Sequence, residues 1–177
     1  MKLITAALLL LVLSPFQTND EKIVWQEDRK LTWADFRGVP SGPEEYVAST
    51  NSGVSFSFSY TVRNGQQRVN YSIRSNFYPD LSWYRPEKVN DYILAHEQMH
   101  FDITELAARK LRRALAQLPK DGTFKERSEK IYNQNEADRR AMQKQYDGDS
   151  DHSNNEQEEL RWRVYVAEQL DAYDAWK

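Results

Sequence analysis

The chain has 177 residues, 40% of them hydrophobic and 29% charged, with a formal net charge of −3 at pH 7. This composition is typical of one globular domain, and the lack of a basic excess gives no support to nucleic acid as a partner. The chain has no cysteine, which excludes disulfides, thiolate metal ligands and cysteine nucleophiles.

The N-terminal residues predict an export signal. Lys2 supplies a positive charge, and residues 3–13 are almost entirely apolar. An apolar run of this length is typical of a signal peptide and is too short for a membrane-spanning helix. We therefore expect residues 1–20 to be a signal peptide that is cleaved between Ser14 and Asp20. The mature protein, residues 21–177, is then expected to be a single exported domain, periplasmic or secreted, without a membrane span.

Residues 23–75 have the pattern of β-strands. Apolar and small polar residues alternate over residues 54–60 and again over residues 68–73, as they do in strands with one buried face. Asn64-Gly65 lies between the two runs and favours a hairpin turn.

From Pro86 onward the apolar residues follow helical spacing instead. Three helices are predicted, over about residues 86–118, 124–146 and 154–176, with a turn over residues 146–152. Strands followed by helices predict an α+β fold. We expect a small antiparallel sheet packed on the first helix, with two further helices behind it.

His96-Glu97-Gln98-Met99-His100 forms an H-E-x-x-H pattern inside the first predicted helix. Residues four apart lie on the same face of a helix, so both imidazoles can bind one metal ion. Glu97 lies about 100° around the helix from His96, where it can take a proton from a metal-bound water without being a ligand. The pattern predicts a Zn2+ site with His96 and His100 as ligands and Glu97 as general base. A pair of buried, hydrogen-bonded histidines is the alternative without a metal.

A catalytic zinc site has a third protein ligand. Ile103 and Leu106 stand where an extended H-E-x-x-H-x-x-G-x-x-H pattern would have glycine and histidine, so that arrangement is excluded. His152, the third of three histidines in the chain, is the predicted third ligand. The alternatives are a glutamate of the next helix, at Glu126, Glu129 or Glu136, and an aspartate at Asp147 or Asp151.

Other roles are predicted from position alone. Tyr146 is a candidate hydrogen-bond donor to a developing oxyanion, although a place in the core is the more common role of such a tyrosine. Asp102 and Glu105 are candidates for hydrogen bonds to a ligand imidazole, with a solvent-exposed helix face as the alternative.

Three segments resemble a bacterial family, domain-of-unknown-function family 922 (DUF922), which is described as predicted secreted zinc-dependent proteases. The segments are residues 31–38, 94–103 and 146–162, and the resemblance spans roughly residues 25–176. It implies that the H-E-x-x-H helix is the metal site. It also favours His152, because the family has a histidine after its Tyr-Asp pair. Asp151-His152-Ser153 departs from the Thr-His-Gly expected in the family, so a different local turn is expected.

The sequence therefore predicts a zinc-dependent peptidase with a zincin-like fold, acting on a peptide or protein substrate through a metal-activated water and Glu97. A non-catalytic zinc-binding module that binds peptides is the alternative from another class. An amidase that acts on cell-wall peptides would use the same site. Glu97 distinguishes the peptidase from the non-catalytic zinc-binding module. In a structural zinc site a protein ligand occupies the fourth coordination position, and a free carboxylate has no role there.

Overall fold

A computed structural model describes residues 21–63 and 66–177 of the protein. The expected signal peptide, residues 1–20, and the expected turn Asn64-Gly65 lie outside the described residues. Within the described ranges, no helix is both long and apolar enough to cross a membrane.

A long antiparallel hairpin forms the main sheet. Its two strands pair over their whole length, and a short N-terminal strand adds to the second of them. Two further short strands pair with each other in a separate sheet. The strands are β1 Ile23–Val24, β2 Ala48–Ser49, β3 Ser52–Arg63, β4 Gln66–Phe77 and β5 Trp83–Tyr84.

The alternating pattern of the hairpin arises because one face packs against the helices. Val54 and Ile73 on that face are buried, whereas Ser55 and Arg74, directly next to them in the chain, are exposed. Alternation of this kind follows from the two-residue period of a strand.

Three long helices follow the strands: α1 Asp91–Ala116, α2 Phe124–Asp149 and α3 Glu156–Ala172. Helix α1 is central, since it packs against the hairpin on one side and against α2 and α3 on the others. The side chain of Asn90 accepts a hydrogen bond from the N–H of Ile93 and caps the start of α1. Because α1 is packed on several sides, it is buried over most of its length, including His96 and Glu97 of the H-E-x-x-H turn.

An apolar cluster holds α2 and α3 against the H-E-x-x-H turn of α1. Its buried members come from all three helices: Met99, Ile103, Tyr146, Trp162 and Val166. The cluster brings the end of α2 and the start of α3 beside the two motif histidines, so the third helix is part of the site's framework.

The α+β prediction is confirmed, with a small antiparallel sheet and three helices. Three boundaries differ from the prediction. Helix α3 ends at Ala172, and residues 174–176 form a separate 3-10 turn. Residues 86–88 form a separate 3-10 turn, so α1 begins only at Asp91. Helix α2 continues to Asp149, through residues predicted as a turn, because Tyr146 is fully buried against α1 and keeps the last helical turn in the core.

Candidate metal centre

His96 and His100 lie one helical turn apart on α1, and their Nε2 atoms lie near the carboxylate of Asp147 on α2. The Nε2 atom of His100 is 3.0 Å from Oδ1 of Asp147, and the Nε2 atom of His96 is 3.5 Å from the same oxygen. One ligand atom from each of the three residues lies within 4.8 Å of the other two. Since zinc binds nitrogen and oxygen ligands at about 2 Å, the three atoms are close enough to share one ion.

Asp147 supplies a buried oxygen without a conventional hydrogen bond. Its Oδ1 atom has no hydrogen-bond partner among the described residues, despite the two imidazole nitrogens nearby. Burial alone would raise the pKa of Asp147, but the adjacent His100 and His96 lower that pKa below its usual range. Asp147 is therefore a carboxylate at neutral pH, as a metal ligand must be.

Glu159 holds His96 from the opposite side of its ring. The Nδ1 atom of His96 lies 2.5 Å from Oε1 of Glu159, and the Glu159 side chain is fully buried. The hydroxyl of Tyr146 donates to both oxygens of that carboxylate, at 2.9 and 2.8 Å. A carboxylate that accepts from Nδ1–H fixes the ring tautomer and leaves Nε2 free for a metal.

When no metal is bound, both ring nitrogens of His96 are protonated at neutral pH, so that the ring is a positively charged imidazolium. Burial alone would lower the pKa of His96, but the carboxylates of Asp147 and Glu159 raise it to about 9. The metal-free site thus holds an imidazolium between two carboxylates. A bound metal ion would replace that proton as the positive charge of the site.

Glu97 lies in the same cavity as the three candidate ligands. The cavity has a volume of about 370 Å3, and its wall includes Glu97, His96, His100 and Asp147. The side chain of Glu97 is 5% exposed, and its Oε2 atom has no hydrogen-bond partner in the described part of the chain. A buried polar atom without a partner costs about 1–3 kcal/mol. A water or substrate group in the cavity would satisfy this oxygen.

His152 lies at the exposed rim of the cavity. Its ring packs edge-on against Tyr46, with 5.6 Å between the ring centroids, and it does not belong to the compact group of three ligand atoms. Asp151, His152 and Ser153 have φ angles of 46°, 50° and 72°, an unusual left-handed turn. His152 as third ligand stays a prediction, and the geometry favours the alternative, Asp147.

Tyr146 lies behind the ligands and not in the cavity wall. Its ring stacks on His96, with 4.7 Å between the centroids, and its hydroxyl binds Glu159. These contacts stabilise the positions of His96 and Glu159. The role of Tyr146 as an oxyanion donor stays a prediction.

The two carboxylates of α1 that were predicted to contact a ligand imidazole have other partners. Asp102 accepts hydrogen bonds from Trp25 Nε1 and Gln98 Nε2, at 2.7 and 2.8 Å. Glu105 accepts hydrogen bonds from Arg109 and Arg112. The imidazole partner is Glu159, which sequence reasoning missed.

A signal for Glu159 is present in the sequence. Glu159, Trp162 and Val166 are the buried residues of α3, and their spacing puts all three on one helix face. A carboxylate on an otherwise apolar stripe requires a buried polar partner. The neighbouring Glu156 and Glu158 conceal this signal, because an acidic run is also typical of the exposed first turn of a helix.

Comparison with known proteins gives one match. No curated protein and no solved structure matches the chain. The model of a family described as "Bacterial protein of unknown function (DUF922)" matches residues 29–153, more than half of the 177 residues. The matched range includes the H-E-x-x-H helix and Asp147 and ends before Glu159. The chain therefore belongs to the DUF922 family.

Proposed function

We propose that the protein is a zinc-dependent peptidase whose metal is bound by His96, His100 and Asp147. The observation that carries the proposal is the state of Glu97. Within the described residues its Oε2 atom is buried and without a partner, in the same cavity as the three ligand atoms. A general base in hydrolysis needs such a free carboxylate, whereas a structural zinc site has no role for it.

The donor set suits zinc. Two imidazoles and one carboxylate are ligands that zinc binds in hydrolases, with the fourth position left open. Zinc in this position would polarise a scissile carbonyl and lower the pKa of a coordinated water to about 7. Ferrous iron also binds two histidines and one carboxylate, so the free carboxylate of Glu97, more than the ligand set, favours hydrolysis.

Each residue of the proposed active site has a separate role. Glu97 accepts a proton from the attacking water as the water oxygen bonds to the carbonyl carbon. As the carbon–nitrogen bond breaks, Glu97 returns that proton to the leaving amine. Glu159 keeps the Nε2 atom of His96 directed into the cavity. Thr50 donates a hydrogen bond from its hydroxyl to the backbone carbonyl of Glu97, at 3.1 Å, and so attaches the wall of the cavity to α1.

The substitution Glu97→Gln tests the proposal. It preserves shape and removes the proton acceptor, so zinc content is expected to stay near one ion per chain. The free energy of unfolding is expected to change by less than about 1 kcal/mol. Cleavage of a random peptide library, followed by mass spectrometry, is expected to fall by about a hundredfold or more.

The exposed Glu126 on α2 offers a matched control, since Glu126→Gln makes the same chemical change away from the cavity and is expected to alter none of the three quantities. If Glu97→Gln loses its zinc or keeps full activity, Glu97 is not the general base. If the unmodified protein binds zinc but cleaves no peptide, the non-catalytic zinc-binding module is the correct description.

A further inference from the structure

The cavity that contains the candidate ligands is also lined by both residues of the short strand β2. Three consecutive residues, Ala48, Ser49 and Thr50, line the cavity together with Tyr46. Successive side chains of a strand point to opposite faces. Because the cavity contacts both residues of β2 and also Thr50, which follows the strand, it meets this segment at the edge of the strand, where the backbone groups lie.

The pairing with β5 determines which backbone groups of β2 face that edge. Ala48 is opposite Tyr84 in the antiparallel register, and the N–H of Arg85 donates to the carbonyl of Val47 at 2.8 Å. Hydrogen-bonded and non-bonded positions alternate in an antiparallel pair. Val47 and Ser49 thus direct their backbone groups at β5, and Ala48 directs its N–H and C=O away from β5.

The open edge of β2 lies beside the catalytic residues. Among the described elements β2 pairs with β5 alone, so no strand covers the other edge. The hydroxyl of Thr50, two residues after Ala48, donates to the carbonyl of Glu97. At the preceding outward position the carbonyl of Tyr46 already accepts from Nε of Arg85, at 3.0 Å. The open stretch therefore begins at Ala48.

We propose that the substrate binds as an extended polypeptide segment that adds to β2 through the backbone N–H and C=O of Ala48. An unpaired strand edge is a template for another strand, and main-chain hydrogen bonds give affinity without reading side chains. This inference rests on the proposed peptidase function and deepens it. It specifies an unfolded or flexible stretch of protein as the substrate class, since a small amide without neighbouring peptide groups could not make both bonds.

The variant Ala48→Pro removes the N–H donor. Proline is tolerated at an edge position whose N–H faces away from the neighbouring strand. We expect the variant to retain zinc and to lose about tenfold in kcat/KM, the loss that corresponds to one hydrogen bond. The probe is a decapeptide that the unmodified protein cleaves, taken from a random library. Analogues of this decapeptide that are N-methylated at one residue at a time are expected to show one position with a similar loss, because the C=O of Ala48 accepts from a single N–H.

Val24→Pro is the matched control, on β1. The N–H of Trp25 donates to the carbonyl of Ser75, so the N–H of Val24 faces away from β4, as that of Ala48 faces away from β5. Val24 does not line the cavity, and the control is expected to keep the full kcat/KM.

Hydrogen exchange gives a measurement that does not depend on turnover. In zinc-loaded Glu97→Gln protein, the decapeptide is expected to slow exchange of the Ala48 amide and to leave that of Val24 unchanged. Suppose that the decapeptide is cleaved, but that every N-methylated analogue has the same kcat/KM and the Ala48 amide is not protected. The strand-addition inference is then wrong, and the peptidase proposal stands. If no peptide of the library is cleaved, the peptidase proposal fails and the inference fails with it.

Discussion

Asp147 and His152 compete for the third ligand position, and the two residues occupy different places relative to the motif histidines. The Oδ1 atom of Asp147 lies 3.0 Å from Nε2 of His100, whereas His152 packs against Tyr46 at the rim. We expect Asp147→Ala to lower zinc affinity by more than about a hundredfold, beyond the loss typical of residues that only support a ligand. Competition with a chromophoric chelator measures this affinity.

In the same titration His152→Ala is expected to bind zinc as the unmodified protein does, and Asp151→Ala, at the exposed neighbouring position, serves as the control. The reverse order, with zinc lost from His152→Ala and kept by Asp147→Ala, would establish the ligand set that the sequence predicts.

Glu159 acts on the metal through His96. Glu159→Gln keeps the volume of the side chain but removes the negative charge of the carboxylate, which accepts hydrogen bonds from Nδ1 of His96 and from the hydroxyl of Tyr146. We expect zinc affinity to fall by about 10- to 100-fold while the helical circular dichroism spectrum is retained. Glu156→Gln, an exposed change in the first turn of the same helix, is expected to leave zinc affinity unchanged. Equal affinities for the Glu159 and Glu156 variants would remove Glu159 from the site.

Only the local part of the site could be predicted from the sequence. His96, Glu97 and His100 lie within two turns of one helix, so their spacing alone defines their relative positions. Asp147 and Glu159 reach the site through the packing of α2 and α3 on α1, which no spacing specifies. The sequence ranks His152 above Asp147 as third ligand, because two of the chain's three histidines already lie in the H-E-x-x-H motif.

At the scale of elements, periodicity predicted the hairpin and the three helices but not where α2 ends. Asp147-Gly148-Asp149 has the composition of a turn, yet these residues complete the last turn of α2. The burial of Tyr146 outweighs the local preference. As a result Asp147 is a helical residue, and its direction toward α1 is determined by the helix.

Helix α1 shows a second limit of sequence patterns. A solvent-exposed helix face is the alternative that the sequence leaves open for Glu105, but Glu105 is buried, and so is Arg109 one turn later. The Nε atom of Arg109 donates to Glu105 at 3.1 Å, and its Nη1 atom donates to the carbonyl of Leu170 at 2.7 Å. A buried ion pair whose remaining donors are satisfied can be covered by another element. Helix α3 therefore covers a face of α1 that its composition alone would leave to solvent.

At the scale of the whole molecule, the charged groups around His96 make the folding stability of the metal-free protein depend on pH. The pKa of His96 is about 9 in the folded protein against an ordinary value of 6.5. Its contribution to stability is therefore complete below pH 6.5 and is lost as the pH rises through about 9. The pKa values of Asp147 and Glu159 are lowered by folding from 3.8 and 4.5. Their contribution is present above those values and is lost as the pH falls.

We expect the metal-free protein to be most stable between about pH 4.5 and 6.5 and to melt at falling temperatures from there toward pH 9. Zinc must displace the proton of His96, so the rise in melting temperature on adding zinc is expected to grow over the same range. Calorimetry with and without zinc measures both trends, and His96→Gln is expected to abolish them. A zinc effect that shrinks as the pH rises would contradict the charge state assigned to His96.

The link between α2 and α3, residues 150–155, separates the two carboxylates that flank His96. Exposed links ordinarily tolerate insertions and deletions in evolution, and residues 151–155 of this one are exposed or half-buried, although Ser150 is fully buried. An added or removed residue would nevertheless displace the start of α3 and carry Glu159 away from His96. Relatives that keep Asp147 and Glu159 but vary in the length of this link would contradict that constraint. We expect selection to conserve the number of residues in this link more than their identity. The link would then vary in sequence as a surface loop does, but it would keep a constant length, as buried elements do.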